Sequence, residues 1–117
     1  MRSLSIFCVL LGIGLIQACA MSTVPPKYQG QWAGTQESCN ASSAADLMTL
    51  ADNRIQFTES SGQLMSANQN DGNLHLVFNM RGEGDAWKSE EVYSLTSGGK
   101  VLVRYTKDST HKYFRCN

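Results

Sequence analysis

Histidine is scarce in this chain: 117 residues contain only His75 and His111. Acid/base and nucleophilic chemistry near neutral pH leans on histidine. No Gly-x-Ser-x-Gly elbow, His-Glu-x-x-His motif or phosphate-cradling glycine loop stands in for it. Both histidines fall on the outward side of the strands expected below, so no enzyme is expected. Glu90 and Glu91 are adjacent carboxylates, but neighbours on a strand face opposite sides and do not share a site unless a bulge intervenes. Cys-x-x-Cys is also missing, and Met48, Met65 and Met80 are too dispersed for a thioether copper site, so neither metal nor cofactor is expected. A charge of one sign is lacking too. Ten Lys and Arg balance ten Asp and Glu, without a basic stripe, which argues against nucleic acid as a partner.

Long apolar runs are absent except at the start. Met1-Arg2-Ser3 precedes residues 4–16, a mostly apolar run that matches a secretory signal core and falls short of the roughly 20 residues needed to span a bilayer. The run ends in Ile16-Gln17-Ala18-Cys19. This resembles the signal of bacterial lipoproteins, in which the cysteine is lipidated and becomes the new N-terminus. The resemblance implies a signal peptide at 1–18, a lipidated Cys19 and, because Ala20 rather than aspartate follows, sorting to the outer membrane, with the domain facing the periplasm. Ala18-Cys19-Ala20 also fits an ordinary cut before Met21, which would give a soluble periplasmic or secreted protein. One acyl chain holds a protein marginally at a membrane, at about 0.8 kcal/mol per buried methylene, whereas two or more attach it stably. Residues 19–29, with Pro25 and Pro26, read as a lipidated cysteine and an extended tether.

Four cysteines are present. Cys8 lies in the expected signal and Cys19 is the expected lipid site, so the domain keeps Cys39 and Cys116. In an oxidising compartment two cysteines suggest one disulfide. Closing a loop of more than about 70 residues stabilises a fold by up to roughly 4 to 4.5 kcal/mol. Removing 1–18 takes away Arg2 and no acidic residue, so the exported chain stays near neutral. Its length of about 100 residues suits one domain, expected at 30–117.

Period-two alternation punctuated by glycine turns dominates this domain, so the expected fold is all-β. Trp32 lies in a first strand, and Ile55 and Phe57 share a face of the next. Leu74, Leu76, Phe78 and Met80 face inward on the most regular one. Asp71-Gly72 predicts a tight hairpin. Trp87, Tyr93 and Leu95 share a parity that also turns Glu91 inward, which suggests a bulge near Glu90-Glu91. Val101, Val103 and Tyr105 alternate, and a last strand runs to Cys116. Near 43–51, Ser43 with Asp46 three residues on, and apolar residues at helical spacing, predict a short helix. About seven or eight short strands in meander order close most economically into a small antiparallel barrel, with a two-sheet sandwich as the alternative.

Gly30-Gln31-Trp32 resembles the Gly-x-Trp that opens the first strand of lipocalins. That resemblance implies a meander barrel in which an arginine of the last strand, Arg115 here, packs over the indole. Ser61-Gly62 resembles the start of the Ser-Gly-x-x-Tyr loop of small periplasmic lysozyme inhibitors, with Met65 at the tyrosine position, and implies a candidate binding loop there. The expectation is therefore a non-catalytic binding module of the envelope. Its partner is an envelope protein, a lysozyme in the inhibitor alternative, or a small apolar ligand in a lipocalin-like carrier alternative. The cavity of such a carrier would be lined by Leu76, Phe78, Val103 and Tyr105.

Overall fold

A computed structural model describes residues 19–117; the expected signal at 1–18 lies outside the described residues. Nine strands follow in chain order: β1 (Cys19–Met21), β2 (Gly30–Ala33), β3 (Leu47–Leu50), β4 (Arg54–Phe57), β5 (Ser61–Asn70), β6 (Asn73–Gly82), β7 (Asp85–Thr96), β8 (Val101–Tyr105) and β9 (Thr110–Arg115). Each of β2 to β9 pairs antiparallel with the next, and β9 returns to β2. The result is a closed eight-stranded meander barrel, with β1 added along β5. Among the described residues no helix is long and apolar enough to cross a membrane.

Alternation builds the interior. In β6, Leu74, Leu76, Phe78 and Met80 are all buried, while Asn79 between them is exposed. Trp32, Tyr28, Tyr93, Met48, Leu50, Ile55 and Leu102 join them in one apolar cluster, which fills the space between the walls. Each large side chain so buried contributes about 1.5 to 3 kcal/mol. The Asp71-Gly72 hairpin forms as its sequence predicts: both residues take positive φ, 53° and 81°, as a two-residue turn with the twist of the strands requires. Glu83-Gly84 closes the β6–β7 hairpin in the same way.

Four local expectations are overturned. The short helix near 43–51 is a turn followed by β3. Met48 lies opposite both Trp32 and Phe57, so pairing with β2 and β4 fills the barrel wall and overrides the helical spacing. The segment 21–27 is not a loose tether. Val24 is completely buried, its amide bonds the Asp52 carbonyl at 2.8 Å, and Tyr28 is buried after a 3₁₀ turn at Pro26–Tyr28. The folded unit therefore begins ahead of Gly30. The bulge falls in β5, where the register shifts between Leu64 and Ser66, and β7 pairs with β6 without interruption through Glu90 and Glu91. In β8, finally, Leu102 is buried whereas Tyr105 is exposed, so the inward positions are Leu102 and Arg104.

Candidate functional site

Two features stand out against this frame: a buried polar cluster inside the barrel and a stretch of unpaired strand beside it. The cluster starts from parity. Glu91 pairs with Leu76, and Arg104 pairs with His111 and with Tyr93, which turns both charges toward the interior. The Glu91 side chain is 1% exposed and that of Arg104 12%. Arg104 donates from Nε to Glu91 Oε1 and from Nη2 to Oε2, both at 2.9 Å. Tyr93 Oη donates to Oε1 at 2.5 Å and Ser89 Oγ to Oε2 at 2.7 Å. The guanidinium also lies over the Phe57 ring, 4.8 Å from its centroid, with Nη1 3.4 Å from Tyr113 Oη.

The electrostatics follow from this geometry. Burial by itself raises the Glu91 carboxyl, but the bonds and charge of Arg104, with the Tyr93 and Ser89 hydroxyls, outweigh it and hold the group below its ordinary value. Burial, and then the negative charge of Glu91, push the Tyr93 phenol well up. Burial opposes the charge on Arg104, yet the carboxylate bonds leave it more firmly protonated than an ordinary arginine. Glu91 is thus ionised with both oxygens doubly bonded, an arrangement that fixes a fold and leaves no acceptor position for a proton in transit.

The unpaired strand has a topological cause. On one side β7 pairs with β6 from Asp85 to Tyr93, but on the other it pairs with β8 only from Val92 onward. Across 85–91, no described strand meets that second edge. Burial fades along the inward-parity positions as the arm leaves β8, from buried Glu91 through half-buried Ser89 to Trp87, which is 45% exposed. An open cleft of about 900 Å³ runs beside this edge, bordered by Trp87, Lys88, Glu90 and Val92 and, across from them, by Tyr105 and the turn at Thr106–Ser109. A smaller concavity of about 440 Å³ borders the arm elsewhere and shares Trp87 and Lys88. Lys88 and Glu90 are both well exposed, and their charges stand 3.8 Å apart.

The residues singled out in the sequence are distributed as follows. Cys39 and Cys116 form a disulfide with a sequence separation of 77. The Arg115 guanidinium lies 4.2 Å from the Trp32 ring centroid and donates to the carbonyls of Gly99, Gln29 and Lys27 at 3.0, 2.8 and 2.7 Å. Trp32 Nε1 donates to the Tyr28 carbonyl at 3.1 Å. This pair ties the N-terminal segment and the Ser97–Gly99 turn to the seam where β9 meets β2. The Cys19 backbone is opposite Gln69, beside the β5–β6 hairpin.

Ser61 and Gly62, expected in a binding loop, instead open β5, with Gln56 and Ile55 on one side and Arg81 and Met80 on the other. Gly62 is needed there for packing, since a Cβ would stand 2.4 Å from Met80 Sδ. His75 points outward, opposite in face to Glu91, as expected; His111, expected outward, instead shares the inward parity of its partner Arg104, yet it is exposed and bonded to Ser109 at 2.9 Å. Met48 and Met80 belong to the core, whereas Met65 is 54% exposed at the bulge. Among the described residues no three His, Cys, Asp or Glu are placed to hold a metal. Arg104 and Lys88 were not singled out by sequence, and Trp87 was read there only as an inward strand residue, whereas it is 45% exposed. The inward parity of Glu91 was a usable signal for Arg104, because a buried carboxylate calls for a cation on a neighbouring strand.

Fold and site together define a disulfide-bonded meander barrel with a filled interior, a satisfied internal ion pair and an unpaired stretch of β7 edge at 85–91. Comparison with protein-family models, curated proteins and solved structures gives no match for this chain.

Proposed function

We propose that this protein is an exported lipoprotein, anchored through Cys19 to the outer membrane, whose barrel acts by binding rather than catalysis. Its binding surface is the free edge of β7. The observation that carries this reading is the unpaired stretch 85–91, which opens onto the cleft between exposed Trp87 and exposed Tyr105. An extended segment laid along such an edge gains main-chain hydrogen bonds, and alternate side chains supply selectivity. The filled interior favours engagement at this surface over a carrier's internal cavity. The ionised and fully bonded Glu91 favours binding over acid/base work. Because the chain from β1 to Tyr28 packs on the barrel, a lipid on Cys19 would tie the domain to the bilayer with no flexible spacer.

Two experiments on the full chain in its own envelope test this. Cys19→Ala is expected to abolish fatty-acid labelling and move the protein to the soluble fraction; unchanged membrane attachment contradicts the anchor. A photoreactive benzophenone amino acid in place of Trp87 is expected to give covalent adducts. The same group in place of Thr49, exposed on a strand paired along both edges, is expected to give none. Absence of adducts at Trp87 contradicts the binding surface.

A further inference from the structure

We propose that the segment received by the β7 edge is the same edge of a second copy of this chain, paired antiparallel about Ser89. The inference rests on the reading of that edge as a binding surface. A two-fold axis that joins two identical edges into one sheet stands perpendicular to the sheet, so each side chain keeps its face and some residue lies opposite itself. Few centres are available within 85–91. A centre at Lys88 opposes two lysines, and a centre at Glu90 opposes two glutamates; both place like charges on directly facing positions, which destabilises a sheet.

Centring on Ser89 does the opposite. Lys88 of each copy then faces Glu90 of the other, twice over, and Trp87 faces Glu91 across the inward-parity side. Lys88 and Glu90 share the outward face and are already 3.8 Å apart within one chain, so the joined sheet would carry a four-charge group of alternating sign. Trp87, 45% exposed in the single chain, would be covered. The cleft borders the edge from Trp87 to Glu91, Val92 being already paired with Tyr105, so the joined stretch is Trp87 to Glu91 of each copy, and an added strand needs only about 4.8 Å of lateral spacing. A centre at Trp87 or Ala86 gives no such exchange, because it places Lys88 opposite Ala86 or Gly84.

The pairing is short, so its strength depends on local concentration. Two chains anchored in one bilayer meet at far higher effective concentration than two in free solution. The two-fold axis also places both Cys19 backbones at one height along it, which lets both anchors enter the same leaflet.

The test uses full-length protein in the envelope. Ser89→Cys sets two thiols opposite each other at the two-fold and is expected to give a disulfide-linked species of twice the chain mass on a non-reducing gel, while Thr49→Cys, exposed on a strand paired along both edges, gives none. Adding Lys88→Glu to Ser89→Cys, or Glu90→Lys to it, makes both facing pairs repulsive and is expected to lower the linked fraction roughly tenfold or more. Co-expressing those two charge variants restores attraction at both pairs and is expected to return the linked species as a mixed dimer, as is the exchange Lys88→Glu with Glu90→Lys in one chain. A Ser89→Cys chain that stays monomeric, or charge variants that fail to rescue each other, overturns the proposal. If Trp87 adducts then form only with another protein, the edge binds but does not bind itself; if no adducts form, the underlying reading falls as well.

Discussion

The barrel treats two stretches of strand edge in opposite ways. Where β9 meets β2 only Trp32 with Arg115 and Ala33 with Phe114 pair, yet that seam is sealed by the Cys39–Cys116 disulfide, by Arg115 over the indole and by three carbonyls bonded to the same guanidinium. Along 85–91 of β7 a longer run of edge has no partner on the β8 side. The difference teaches that length of ladder does not decide which edges close. A short seam is held by side chains and a covalent bond, whereas the long free edge carries Lys88 and Glu90, charges that keep indiscriminate strand pairing away and still admit a partner of the right register.

Ways to break this contrast differ in size. The largest effect is expected inside the barrel: Arg104→Ala leaves Glu91 buried and unpaired and should cost about 3 to 5 kcal/mol in urea unfolding. The double change of Glu91→Leu with Arg104→Met should recover most of that loss, which would assign the cost to an orphaned charge rather than to lost packing. Next comes the seam. Cys39→Ser should cost up to about 4 kcal/mol, most of it through a less restricted unfolded chain.

A smaller effect is expected from pH. The folded value of Glu91 lies below its unfolded value, so its stabilising share is complete above the ordinary glutamate value of 4.5 and is lost as pH falls through the lower folded value. The variant without the ion pair should lack that component of acid destabilisation, measured as stability against pH between about 6 and 2. Smallest of all, Lys88→Glu should change the stability of the single chain by less than about 0.5 kcal/mol, since both charges of its pair are exposed. The same variant should nonetheless disrupt association, which separates the edge from the fold.

Much of the fold was legible because alternation and turn chemistry are local. Leu74 to Met80 and Asp71-Gly72 each announce their structure within a few residues. The strand β3 was not legible, since Leu47, Met48 and Leu50 suit a helix as well as a strand and only the gap between β2 and β4 decides. Val24 was missed for a similar reason: the prolines beside it say extended, and nothing local says buried. Of the candidate site, Glu91 was visible as an inward carboxylate, but its partner on β8 and the point where β8 stops short of the β7 arm depend on strand register, a property of pairs rather than of any one segment.

The free edge itself is the central claim, and residue-resolved hydrogen exchange tests it most directly. In the Lys88→Glu protein alone, the amides of 86–91 directed away from β6 should exchange rapidly while alternate amides bonded to β6 stay protected. Adding equimolar Glu90→Lys protein should slow those same edge amides. Edge amides already protected in the single chain, or unchanged exchange on mixing, would contradict the account.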